Sequence, residues 1–422
     1  MKLRAAILTA LLGLAPFTAG AAVPSGPGDL LKLACPAGAS ADHPCRAVYF
    51  WGADGKRRAF PNAATYFTWY ADFSGVKITD GAALAALPLG RNVNYRPGKR
   101  LLKIPSAPAV YAVEPGGELR PLASEAAAAA VYGNGWNAQI DDLPEAFVAD
   151  YHFGAAIAAA ADYDAADRLA AAPGIDAADG ADYGYRPVTT AAGSFDVHII
   201  TLDRRSYKMK TLVAAAQDCS SGCAARTLAD YARENGAAIA IHGSYFCPPD
   251  YADCAAKTYS FLWPVFDSPS REMRNADNIK FHEAPIIASY EDGRLAYYPR
   301  ANAYASLAAF EAAYISPLEA ALANYPGLVE NGSVIVGNEP RLEEAQRTVK
   351  GTRGAVGFNA DKIFLVVAKN ATVVDLAGIM QSLGATDALN LDGGGSAALL
   401  YGGAYKVGPG RLLPNAIVFV RR

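Results

Sequence analysis

The stretch Gly384-Ala385-Thr386-Asp387-Ala388-Leu389-Asn390-Leu391-Asp392-Gly393-Gly394-Gly395-Ser396-Ala397-Ala398-Leu399 decides how the second half of the chain is read. Residues 388–391 form a short run, apolar except for Asn390, that reads as a strand, and they follow a helical pattern over 372–383 that Gly384 closes. The strand then runs into three consecutive glycines. Such a run lets the backbone turn through conformations closed to other residues and lets a ligand come close to the amide N–H groups, an arrangement suited to anions. Taken alone, Asp-Gly-Gly-Gly serves equally well as a tight turn in which Asp392 caps its own backbone.

Working outward, strand patterns recur at 195–202, 207–214, 237–241, 333–336, 363–368 and 416–420. Helical patterns occupy 224–235, 306–324 and 372–383. The interleaving predicts an α+β fold, with a mixed-sheet catalytic domain over 186–422 and the Gly-rich loop at a strand end, where side chains and backbone converge on a ligand.

With its Asn-Leu-Asp-Gly-Gly-Gly-Ser core intact, the quoted stretch resembles the signature of the phosphodiester glycosidases. Two further features fit: Arg353-Gly354-Ala355-Val356-Gly357 precedes a strand, and Pro414-Asn415-Ala416-Ile417-Val418 stands at the end. The resemblance covers roughly residues 195–420. One block departs from it. Where the family shows an Asn-Gly-Gly-like turn before an aromatic pair, this chain reads Ile241-His242-Gly243-Ser244-Tyr245-Phe246, an imidazole in place of an amide.

The resemblance implies scission between an anomeric carbon and the oxygen of a bridging phosphate. A phosphodiester leaves readily, so stabilising the departing charge matters more than strong general-acid help. Arg353 offers a planar fork of donors matched to phosphate oxygens, where an isolated arginine would otherwise form a surface ion pair. Asp392 is the carboxylate expected to face the anomeric centre. His242 introduces a group that titrates near neutrality and is a catalytic candidate, with a purely structural role as its rival. Asn390, Gly393, Gly394, Gly395, Ser396, Tyr245 and Asn415 are the expected substrate contacts. A second carboxylate is less defined, with Glu283 and Asp375 as candidates. Asp250 and Asp253 lack the oxygen-rich spacing of a calcium loop, and neither a metal nor a cofactor is expected.

The first half reads differently. Ala47-Val48-Tyr49 leads through Asp54-Gly55 to Arg58, and Ala109-Val110-Tyr111 leads through Gly116-Gly117 to Arg120. Each is the pattern of a hairpin, and each is followed by a helix signal, with Asn62 and Ser124 as N-caps. Two small repeated β-hairpin/helix modules are therefore expected, about 47–104 and 109–150, after an N-terminal segment 22–46 and before an Ala-rich connector 151–185. Their aromatics make a core or, if exposed, a platform for sugar rings of an envelope glycan.

At 422 residues, 52% hydrophobic and 19% charged with a net charge of −3, the chain is globular and lacks the basic excess that nucleic acid demands. Lys2 and Arg4, the apolar run 5–17 and Ala19-Gly20-Ala21 have the form of a signal peptide, with cleavage expected after Ala21. No later segment offers about 18 uninterrupted apolar residues. Six cysteines fall into three close couples, Cys35 with Cys45, Cys219 with Cys223 and Cys247 with Cys254, and in an exported protein these read as disulfides. The resulting expectation is a secreted or periplasmic hydrolase acting on a carbohydrate phosphodiester. The rival expectation is a non-catalytic envelope-glycan-binding protein with a degenerate glycosidase domain, and turnover of a sugar-1-phosphodiester separates the two.

Overall fold

In the computed structural model, residues 26–281, 283–303, 306–312, 316–338 and 341–422 are described. The signal peptide expected over 1–21 lies outside them. The fold is α+β, with five sheets among the described residues.

Two small sheets form the first part. In one, Leu30–Leu33 pairs antiparallel with Tyr49–Trp51 and parallel with Val76–Thr79, and Arg57–Ala59 closes the hairpin. In the other, Leu101–Lys103 pairs antiparallel with Val110–Glu114 and parallel with Ile140–Asp142, and Glu118–Pro121 closes the hairpin. Strand order and sense agree over these four strands, and the second sheet adds a fifth, His152–Phe153, parallel to Glu118–Pro121. The helices after the hairpins start at the expected caps: Asn62 Oδ1 accepts from Thr65 N at 2.8 Å, and Ser124 Oγ from Ala127 N at 3.1 Å. Tyr66 and Tyr95 are buried, whereas Phe67 and Phe73 are exposed. The strand Leu30–Leu33 lies within the segment 22–46 that was expected to stand apart. Four residues are too few for their periodicity to be read.

Ala181–Thr190 and Gly193–Asp203 form a long hairpin, followed across a seven-stranded sheet by Lys362–Ala371, Gly351–Phe358, Asp387–Gly393, Gly327–Glu330 and Ser333–Val334. Pro187 is tolerated in Ala181–Thr190 because that strand is an edge. A five-stranded sheet contains Tyr207–Val213, Asn415–Arg421, Ile239–His242, Leu399–Tyr401 and Ala404–Val407 in that order. Every pair in these two sheets is antiparallel.

Alternation along the strands creates two cores. Ile200, Leu202, Val356, Leu365, Leu389 and Leu391 face Met209, Ile239, Ile241, Leu399 and Ile417 of the second sheet. Val197, Ile199, Phe364 and Val366 point the other way, onto Leu376, Ile379 and Met380 of the helix Val373–Ser382.

Two expectations change. The helix expected over 306–324 is a short helix, Leu307–Ala312, followed by a strand, Leu318–Ala323, which lies between Val265–Asp267 and Ile286–Tyr290 in a third sheet. Its Leu-Glu-Ala-Ala-Leu-Ala sequence favours helix locally, but pairing on both sides overrides that preference, and Pro317 interrupts any helix running continuously through 306–324. The connector 151–185 holds the helices Ala165–Ala171 and Ile175–Ala178, and the edge strand begins at Ala181, so a boundary at 186 would fall inside a strand.

The first part is also tied to the rest. Ala53 is fully buried in the core between the two large sheets, and its N–H donates to Asp176. Buried Arg58 pairs with Asp54 and Asp179, and Asp179 pairs in turn with Arg421 on the last strand.

Candidate active site

The Gly-rich turn forms where three strand ends meet. Asp387–Gly393 hands over to a tight turn, Gly394–Ser396, and Arg353 lies beside Gly393 on the neighbouring strand, where the register shifts. The third end is His242, which closes the strand Ile239–His242. Gly394 and Gly395 are exposed, whereas Ser396 is buried.

His242 lies beneath this turn and is fully buried. Its Nε2 is 2.7 Å from the Asp392 carbonyl oxygen, and its Nδ1 is 3.0 Å from Ala398 O and 3.2 Å from Ala398 N. An imidazole protonated at Nε2 donates to Asp392 and accepts from Ala398 N. Burial lowers its basicity, which favours this neutral form. The ring packs onto Gly354: a Cβ there would fall 2.2 Å from Nε2. Both nitrogens therefore face backbone.

Asp392 Oδ1 accepts from Gly393 N at 2.8 Å, which removes the Gly393 amide from the donors available to a ligand. Burial raises the Asp392 carboxyl to about 6, against the pull of the Gly393 N–H, the Ser396 hydroxyl, Arg411 and Arg353. It is thus poised to gain or lose a proton close to neutrality.

Arg353 borders an open cleft of ≈ 360 Å³ together with Tyr245, Trp263, Tyr325, Arg341 and Gln346. Its Nε donates to Ala371 O at 3.2 Å and one terminal nitrogen to Val349 O at 2.7 Å, which fixes the guanidinium plane at the cleft. Asn390 lies behind Tyr245, with Nδ2 donating to the Tyr245 hydroxyl at 2.9 Å and to Tyr325 O at 3.1 Å. Its Oδ1 is buried without a partner. Asn415 is further in. Its Oδ1 accepts from Ser244 N at 2.9 Å, and a Cβ on Gly243 would fall 1.9 Å from that oxygen. Of the expected contacts, Tyr245, Arg353, Asp392 and the exposed glycines come together, while Asn415 and His242 support them from below.

Arg411 was not singled out in the sequence. Its Nη1 donates to Ser396 Oγ at 3.2 Å, its Nη2 pairs with Asp250 at 2.5 Å, and it lies over the Tyr251 ring. The closed loop between Cys247 and Cys254 thereby reaches the Gly-rich turn, and Asp250 is committed to an ion pair. The flat setting Gly410-Arg411-Leu412 reads as an ordinary surface loop, and the only sequence signal is its closeness to Asn415. Asparagine 324 was also missed: its side chain accepts from Tyr245 N at 3.0 Å and donates to Asn390 O at 2.8 Å.

Neither candidate for a second carboxylate adjoins Asp392. Asp375 caps its own helix through Thr372 N at 2.9 Å, and Glu283 pairs with Arg341 at 3.7 Å. Glu343 lines the cleft instead. All three cysteine couples are disulfides. Among the described residues there is no cluster of His, Cys, Asp or Glu suited to a metal ion, and no helix is long and apolar enough to cross a membrane.

Residues 269–420 match the family model of phosphodiester glycosidase, the family that the Gly-rich stretch resembles. The match includes Arg353, Asp392, Arg411 and Asn415, while His242 and Tyr245 precede it. No curated protein matches the chain. Among solved structures, a hypothetical protein from Synechocystis aligns at 17% identity and TM-score 0.39 over 58% of this chain, which spans 62% of that protein. The catalytic domain of zebrafish N-acetylglucosamine-1-phosphodiester α-N-acetylglucosaminidase, auto-inhibited by its pro-peptide, aligns at 15% identity and TM-score 0.43, over 57% of this chain and 83% of that one.

Proposed function

We propose that this protein is an exported hydrolase that cleaves the glycosidic C–O bond of a sugar-1-phosphate diester, with Asp392 facing the anomeric carbon and Arg353 facing the departing phosphate. The observation that carries the reading is the placement of a half-buried carboxyl, raised to about 6, at the foot of a Gly-rich turn with arginines on either side. A carboxylate at that position stabilises positive charge developing at the anomeric carbon and takes a proton from attacking water. The Arg353 fork and the N–H groups of the exposed Gly394 and Gly395 receive the phosphate oxygens, since the first N–H groups of a helical turn have no acceptor within it.

His242, Asn390 and Asn415 serve this arrangement by positioning. His242 fixes the backbone of Asp392, Asn390 holds Tyr245, and Asn415 orders the turn after His242. The exposed Phe67, on the helix after the first hairpin, and Phe73, in the loop that follows it, are the surface on which contact with an envelope glycan would be sought. The test is turnover of a sugar-1-phosphodiester by the mature chain. Binding of a glycan phosphodiester without turnover, at every pH between about 5 and 9, would instead support a degenerate, binding-only domain.

A further inference from the structure

The Tyr245 hydroxyl oxygen lies where two amide side chains meet. Asn390 Nδ2 is 2.9 Å away and Gln346 Nε2 is 3.2 Å away. Neither amide is free to turn over. The Asn390 nitrogen also serves the Tyr325 carbonyl at 3.1 Å, which can only accept, and Gln346 Oε1 is held at 3.0 Å by Glu343 N, which can only donate. Both groups therefore present N–H to the phenol. Its oxygen receives two hydrogens, and the hydroxyl hydrogen has to leave in a third direction. Tyr245 lines the cleft beside Arg353, and no acceptor for that hydrogen occurs among the described residues. Burial, the largest influence, raises the phenol above its ordinary range, so it keeps its proton at neutral pH.

We propose that Tyr245 is a further catalytic residue, a hydrogen-bond donor to the phosphate oxygen that leaves the anomeric carbon. The inference rests on the hydrolase reading above. As the C–O bond breaks, its electron pair passes to that oxygen. The oxygen of water bonds to the anomeric carbon, and the water proton goes to Asp392. Tyr245 retains its proton and strengthens its hydrogen bond as charge gathers on the leaving oxygen, which lowers the barrier because the interaction is stronger in the transition state than in the ground state. The two amides act as positioning groups, since they hold the hydroxyl in donor orientation before substrate arrives.

The experiment has two arms on the mature chain. Calorimetric titration with inorganic phosphate compares wild type with Tyr245→Phe, and the variant should bind phosphate about tenfold or more weakly, as loss of a hydrogen bond to a charged group implies. Turnover is then measured for diesters of one sugar that carry phosphates of increasing leaving ability. Tyr245→Phe should lose most with the poorest leaving group, so that its rates depend more steeply on leaving ability than those of wild type. Gln346→Met, which releases one lone pair of the phenol, should show a smaller loss in both arms and stands in for Tyr245→Phe if that variant does not fold. Equal phosphate affinity in wild type and variant, absence of phosphate binding by wild type, or parallel rate dependences would each overturn the proposal. If wild type binds phosphate through Tyr245 but turns over no diester, the hydrolase reading falls and the donor assignment to an anion stands.

Discussion

His242 Nε2 lies 2.7 Å from the carbonyl oxygen of Asp392, so the side chain that departs from the family pattern is bonded to the backbone of the proposed catalytic carboxylate. Replacing it with alanine leaves Asp392 O and Ala398 N without their partner and opens a cavity. His242→Ala should therefore cost about 2–4 kcal/mol in stability. It should lower turnover through misplacement of Asp392, but the acid limb of the rate profile should keep its midpoint. A thermal melt and a pH–rate profile check this, and a lost or displaced limb would make His242 a titrating participant.

Asp392→Asn should lower turnover by about three orders of magnitude or more with substrate affinity largely kept, since the charge is used at the anomeric centre as the bond breaks. In wild type, kcat/KM should fall on the acid side with a midpoint near the carboxyl value of about 6. Near-normal turnover in the variant would reduce Asp392 to a turn-former.

The same substitution should stabilise the fold. The carboxyl rises from 3.8 to about 6, so its contribution to stability is full below 3.8 and is lost as pH rises through 6, where the native state must ionise a half-buried group. At pH 8, Asp392→Asn should be more stable than wild type by up to roughly 3 kcal/mol, and near pH 3.5 the difference should vanish. Melting curves at the two pH values decide it, and equal differences at both would contradict the assignment.

Arg353→Lys keeps the charge but loses the two-pronged geometry and the bonds to Val349 O and Ala371 O. A loss of about ten- to a hundredfold in kcat/KM is expected, largest with an alkyl phosphodiester and smaller with an activated aryl phosphodiester. An equal loss across both substrates would mean that Arg353 positions rather than stabilises.

A fragment of residues 186–422 should not fold as a stable unit. The cut divides the edge strand Ala181–Thr190, removes Ala53 from the main core and strips Arg421 of Asp179. Starting at residue 179 should restore solubility in part, with a melting temperature still below that of the mature chain. A soluble, cooperative fragment starting at 186 would show that these contacts contribute little.

What was legible in the sequence had local causes. Asn62 and Ser124 announce helices because a cap acts within three residues, and the Gly-rich turn announces itself because few sequences tolerate its backbone. What was hidden depended on distant partners. Leu318–Ala323 is a strand only because two neighbours pair with it, and Leu30–Leu33 is too short to be seen without Tyr49–Trp51. Arg411 belongs to the site through Ser396 and Asp250, contacts that no spacing along the chain reveals.

The packing of His242 onto Gly354 sets a rule for how this sequence can drift. With Nε2 2.2 Å from where a Cβ at position 354 would lie, even one methyl group there would evict the imidazole. A descendant that keeps histidine at 242 is bound to glycine at 354. One that adopts a smaller side chain at 242 gains room to vary at 354, but must find another donor for the Asp392 carbonyl. The two positions, far apart in the chain, should change together or not at all.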